Sequence, residues 1–196
     1  GGVMLKGSGV AGAPPAVETG LVNAVRAMGG SIAATDFGAV APIDQSFCPL
    51  LDELRRYRPQ GPAHMTTRQP SYELGLMNEG QFQGQKAARV VVDLALAGLQ
   101  GDFAMYGIEK SNLISEILPS RAAFMEAAAA NSPSLQRLPG VDNFRLQIDT
   151  TAQPGWAGIL LVTGGGGFST QAIKDLGTPA GNARFDQAAA AHGWKT

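Results

Sequence analysis

Cysteine is almost missing from this sequence: Cys48 is the only one in 196 residues. An intrachain disulfide is therefore excluded, and so is a zinc cluster built on thiolates. A single thiol suits the cytosol, but domains without disulfides also occur in the periplasm. Charge is scarce as well, at 16% of residues against about 25% in an average folded domain. The net charge is -1, and no basic run exceeds the pair Arg55-Arg56. A nucleic-acid partner requires a basic stripe that neutralises several phosphates, so that class is set aside. Long apolar runs are also lacking. The longest, residues 90–92 with 94–99 and residues 159–162, are strand-sized and interrupted. They fall short of the roughly 18 residues that cross a bilayer, and no membrane insertion by this segment is expected. Only two histidines occur, His64 and His192. They lack ligand spacing, so no metal and no cofactor are expected. The opening Gly1-Gly2-Val3-Met4-Leu5-Lys6 has neither an initiator methionine nor a signal-peptide pattern. A piece of a longer or processed chain is expected.

The hydrophobic fraction, 44%, is ordinary for a domain that buries a core. Residues 1–16, rich in Gly, Ala, Pro and Ser, read as a flexible linker. Apolar positions Val17, Leu21, Val22, Val25 and Met28 then recur at helical spacing, and Gly29-Gly30 closes the run. Residues 31–37 read as a short strand. A second helix, capped by Asp44 or Ser46, places Phe47, Leu50, Leu51 and Leu54 on one face with Asp52, Glu53, Arg55 and Arg56 opposite. Pro49 lies in its first turn, where a missing N–H does no harm. Residues 17–62 thus form a small helical or mixed unit.

After Pro70 the period falls to two, at Tyr72, Leu74 and Leu76. In residues 89–97, Val90, Val92, Leu94 and Leu96 alternate with Val91, Asp93, Ala95 and Ala97, the mark of a half-buried strand. A glycine turn at 98–101, a returning strand at 103–108, a turn at 110–112 and a third strand at 113–118 predict an antiparallel meander. An Ala-rich helix at 121–131, strands at 143–150 and 158–163, and two short helices at 169–176 and 183–192 complete the reading. The expected fold class is α+β: a small N-terminal helical unit, then a β-rich domain over 68–196 made of a mainly antiparallel sheet or sandwich at 68–165 and two short C-terminal helices.

The run Tyr72-Glu73-Leu74-Gly75-Leu76-Met77-Asn78-Glu79-Gly80, with Phe82-Gln83-Gly84, the strand at 90–96, Gly101, Met105-Tyr106 and Ile117-Leu118-Pro119, resembles a known family. So does Cys48-Pro49-Leu50-Leu51-Asp52-Glu53-Leu54-Arg55 upstream. The family is a β-rich domain of unknown function appended to the C-terminal side of bacterial serine/threonine kinases and some caspase-like peptidases. The resemblance spans residues 17–165. It implies an accessory, non-catalytic domain of a signalling protein, in a periplasmic or extracellular setting, with a cytoplasmic one also open. It brings no catalytic residues.

Candidate chemistry is sparse. Thr35-Asp36-Phe37-Gly38 contains the magnesium-holding tripeptide of kinases, but the glycine-rich loop, strand lysine and catalytic loop that must accompany it are missing, so it reads as a turn after a strand. Gly164, Gly165, Gly166 and Gly167 lie between an apolar strand and a helix start at Ser169 and Thr170. That order places backbone N–H groups around an anion, although the Lys of a phosphate loop is absent. These six residues are the candidate ligand site, against a plain mobile loop. Cys48, near a helix N-terminus, would need His64 or His192 as a base and otherwise reads as a buried thiol. Asp142, Asp149, Glu109 and Glu116 are scattered and read as solvated. Tyr72, Phe82, Phe103 and Tyr106 read as core or rim of the sheet, with an aromatic recognition face as the other reading.

The leading expectation is a ligand-sensing or protein-interaction module. Its partners would be other domains of a longer chain, a protein, or a small molecule. A hydrolase built on Cys48 or the glycine loop, and a structural or assembly domain, are the rivals.

Overall fold

The computed structural model describes residues 2–69, 72–109, 113–151 and 156–196. The expected turn at 110–112 lies outside them. The chain divides into two units. One comprises residues 1–45 with 69–72, the other residues 46–68 with 73–196. The division therefore falls at Gln45 and not near residue 62.

The smaller unit is a strand-helix-strand. Strands β1 (Val3–Ala11) and β2 (Ile32–Pro42) pair in parallel, and helix α1 (Pro14–Ala27) connects them. Most of the expected linker is thus strand and helix start. Its small residues are what the pairing needs: a Cβ on Gly7 would stand 2.5 Å from the Phe37 ring, so only glycine lets that ring cross β1. The same pairing corrects the reading of Asp36-Phe37-Gly38, which is part of β2 and not a turn after it. Asp36 accepts from the Gly38 N–H and pairs with Lys6 at 3.6 Å. In α1, two prolines occupy the first turn, where their fixed φ suits a helix. Val22 and Val25 are half-buried, while Val17, Leu21 and Met28 are exposed, as are Val3 and Met4 on β1.

The larger unit carries the core. A 3-10 turn, Gln45–Phe47, leads into α2 (Cys48–Arg55). Strands β3 (Met65–Thr67), β4 (Gly75–Leu76), β5 (Lys86–Ala95), β6 (Asp102–Ile108) and β7 (Ile114–Leu118) follow, then α3 (Arg121–Ala129), β8 (Leu135–Arg137), β9 (Asn143–Thr150), β10 (Gly158–Gly164), α4 (Thr170–Ile173) and α5 (Pro179–His192). Every strand pairing in this unit is antiparallel. One sheet has the order β3-β5-β9-β8, with β4 also on β5; the other has the order β10-β6-β7.

The α+β class holds, with antiparallel sheets and short C-terminal helices, but the meander does not. β5 turns at Gly98 and Gly101, both at positive φ (77° and 76°). The chain then enters the other sheet, where β6 pairs with β10 and β7 instead of with β5. The two sheets enclose one core. Val92, Leu94 and Leu96 come from the β5 side and Phe144 and Leu146 from β9, while Phe103, Met105 and Leu161 come from the second sheet and Phe124 from α3.

The opposite face of the three-stranded sheet is also apolar. Tyr106 lies opposite Leu160, and Ala104 opposite Val162; all four are buried. Further buried side chains come from the helices and the chain end: Phe47, Leu50, Ile173, Phe185 and Trp194. α4 packs against β7, and Lys195 pairs with Thr163 at the end of β10. Burial pushes the Tyr106 hydroxyl up to about 12; no protein group accepts from it among the described residues.

Two expectations for α2 change. Glu53, expected on the solvent face, is buried and takes a 2.6 Å bond from Arg56; the partner charge is what makes a buried carboxylate tolerable. Cys48, expected to be buried, is exposed. It lies two residues before the buried Leu50, and therefore on the far side of the helix. The end of α2 is tied to the rest of the unit. Tyr57 donates to Asp186 of α5, and burial followed by that bond holds its hydroxyl at about 12.

Candidate functional site

The glycine loop is shaped by packing. The Gly165 N–H donates to the His192 carbonyl (2.7 Å), and the Trp194 indole N–H donates to the Gly166 carbonyl (2.8 Å). A Cβ on Gly164 would lie 2.9 Å from the Trp194 ring, and one on Gly167 would lie 2.6 Å from the His192 ring. Gly166 and Gly167 also hold positive φ, 87° and 70°, which glycine adopts without strain. Ser169 caps the single-turn α4 by accepting from Ala172 N–H, and Thr170 is the first residue of that turn. The six residues are thus brought together, under the C-terminal Trp194.

The other candidates stay apart. His192 stacks on Trp194, at 6.1 Å between rings, and His64 bonds to β5. Cys48 has neither histidine nor carboxylate bonded to it among the described residues. Phe103 and Tyr106 are buried, and Tyr72 and Phe82 are half-buried, so the four build no exposed aromatic face. Asp149 is not simply solvated, since Arg89 grips both of its oxygens at 2.8 and 3.1 Å. Among the described residues no group of three or more His, Cys, Asp or Glu could hold a metal ion. None of their helices is long and apolar enough to cross a membrane.

A concave feature lies on the outer face of the larger sheet. The pairings align side chains in rows across the strands. Thr66 of β3, Asp93 of β5, Arg145 of β9 and Gln136 of β8 form one row. His64, Ala95 and Asn143 form the next: Ala95 N–H donates to the His64 carbonyl, and Ala95 is registered on Asn143. Adjacent strands lie about 4.8 Å apart, so His64 and Asn143 stand about 10 Å apart with only a methyl between them. This gap is a groove of about 360 Å3, walled on its far side by Leu138 and Pro139. Its small floor residue, Ala95, faces outward because Leu94 and Leu96, its neighbours, face the core.

The polar groups of the groove are held in fixed poses. His64 Nδ1 lies 2.8 Å from the Ala95 carbonyl. A carbonyl only accepts, so Nδ1 carries the proton and Nε2 is left as an acceptor. The amide of Asn143 donates to the Pro139 carbonyl (3.0 Å). Arg145 donates from Nε and Nη2 to the two oxygens of Asp93, at 2.8 and 3.1 Å, a two-point fork that fixes both planes. Arg68 Nη1 stands 3.8 Å from the same carboxylate. These bonds, Arg145 first, hold the Asp93 carboxyl below the usual carboxylate range.

A carboxyl depressed in the folded chain contributes stability that is present above its unfolded value, about 3.9, and lost as pH falls through the folded value. Asp93→Asn should therefore be less stable than the parent near neutrality, and urea titrations at decreasing pH should show that gap closing in acid. A gap that does not narrow as the pH is lowered through the acid range would rule the linkage out.

Compared with protein-family models, with curated proteins and with solved structures, the chain matches none.

Sequence reasoning did not find the groove. Its residues, 64, 95 and 143, are neighbours only across strands. The usable signal was an alanine at an outward position of the clearest strand, flanked by charged Asp93.

Proposed function

We propose that this chain is a non-catalytic accessory module of a bacterial signalling protein, such as a serine/threonine kinase, in which it senses a ligand or holds a protein partner. The binding part rests on one observation, the groove above Ala95, where an alkyl floor meets oriented polar groups. A shallow cleft with a few fixed polar groups is the usual form of a recognition site. The signalling part rests on the resemblance of residues 17–165 to the kinase-appended domain. A module of this kind works by differential affinity: a ligand that prefers one arrangement of the longer protein shifts its population.

The test is a thermal-shift screen of the chain against metabolites, nucleotides, glycans and metal ions, repeated on Ala95→Trp. A ligand at 100 times its Kd adds about 2.7 kcal/mol. The expected result is a hit that disappears when tryptophan fills the groove. Ala95 is exposed on a strand, where tryptophan is well tolerated. A flat screen, or hits indifferent to the substitution, would count against the reading.

A further inference from the structure

We infer that the groove takes a carboxylate on a short aliphatic stem, of the kind carried by a glutamate side chain or a small dicarboxylic acid. This rests on the reading of the groove as a binding site. Two guanidinium groups, Arg145 in the groove and Arg68 beside it, share one carboxylate among the described residues, Asp93, so the local charge favours an anion. Arg145 spends Nε and Nη2 on Asp93, and its Nη1 donates to no protein group among the described residues. Arg68 reaches the same carboxylate through a longer 3.8 Å ion pair, with its side chain half exposed. Nη1 of Arg145 and the Thr66 hydroxyl thus supply donors along one side of the groove, with the Arg68 guanidinium beside them on Asp93.

Beside them, Ala95, Leu138 and Pro139 offer apolar surface for two or three methylenes. The fork to Asp93 fixes the Arg145 plane before any ligand arrives, which lowers the ordering cost of binding. Asp93 holds Arg145 in place and needs no further donor. It therefore acts as a positioning residue, and its own charge is offset by the two guanidinium groups.

The experiment is an NMR titration of the whole 15N-labelled chain with three probes: glutarate, the blocked peptide acetyl-Gly-Glu-Gly-amide, and its Gln counterpart. The expected result is shifts at the amides of His64, Thr66, Ala95, Asn143 and Arg145 with one or both carboxylate probes, and none with the Gln peptide. Ala95→Trp should abolish these shifts. Arg68→Gln, which alters a half-exposed side chain, should weaken binding about threefold to fivefold, in line with one exposed charge pair, and more so at low salt.

Binding of glutarate alone would identify the source as a free small acid; binding of the Glu peptide alone would identify an acidic protein segment. Equal binding of the Glu and Gln peptides in the groove would overturn the carboxylate inference and leave the binding reading intact. No shift at any groove amide with all three probes would also overturn it. The binding reading itself is decided separately, by the ligand screen: it falls if that screen is flat or its hits are indifferent to Ala95→Trp.

Discussion

Phe124→Ala is expected to destabilise the larger unit by about 3–5 kcal/mol, the usual loss for a buried phenylalanine cut to a methyl. Phe124 is fully buried. Its ring meets Phe103 at 5.4 Å and Phe144 at 4.9 Å, edge-on in both cases. Phe103 belongs to the three-stranded sheet and Phe144 to the other, so one helical side chain joins the two layers. α3 has no other buried residue, and its many alanines cannot move in to fill the space. Urea unfolding followed by tryptophan fluorescence reads this directly, because both tryptophans, Trp156 and Trp194, lie in the larger unit. Met125→Ala, at an exposed neighbouring position, should stay within about 0.5 kcal/mol. A loss below about 1 kcal/mol for Phe124→Ala would mean that the site is not the keystone its contacts describe.

Trp194→Ala should cost a similar amount, about 3–5 kcal/mol, and should also loosen the glycine loop. The indole is 1% exposed. Phe168, Phe185 and His192 surround it at 5.4, 5.6 and 6.1 Å, and its N–H is bonded to the Gly166 carbonyl. Truncation removes the packing and leaves that carbonyl without its donor. Trp194→Phe separates the two effects. It keeps most of the apolar contact, loses the bond, and should cost about 1–2 kcal/mol. Hydrogen exchange at Gly165, whose N–H is bonded to the His192 carbonyl, should accelerate markedly only in the alanine variant. If both variants unfold at the same urea concentration, the ring packing is not what holds this corner.

Much of the fold was legible where a local pattern has a single physical reading. The alternation of Val90, Val92, Leu94 and Leu96 gave the buried face of β5. The Ala-rich run between Ser120 and Asn131 gave α3, with Ser120 as its cap and Asn131 at positive φ beyond its end. Gly193, left-handed at 63°, ends α5 where a terminal glycine should.

Other elements had no such pattern. The second half of β1, Gly7-Ser8-Gly9-Val10-Ala11, is what composition assigns to a tether and pairing assigns to a strand. β3 and β8 are three residues each, too short for any periodicity to register. The glycine run at 164–167 signalled an anion cradle; its conformations are equally what close approach to His192 and Trp194 requires.

The amino-acid sequence by itself determined the α+β class and the inward faces of the long strands. Alternation and helical spacing are properties of neighbouring residues, and hydrophobic burial acts on them directly. Only the tertiary structure decided which strands pair. A period of two fixes the face that a strand buries and says nothing of its partner, so β5 could pass over the adjacent β6 and join β9, about fifty residues on. That choice also made the groove, by setting His64 and Asn143 on either side of Ala95, and it placed Arg145 against Asp93.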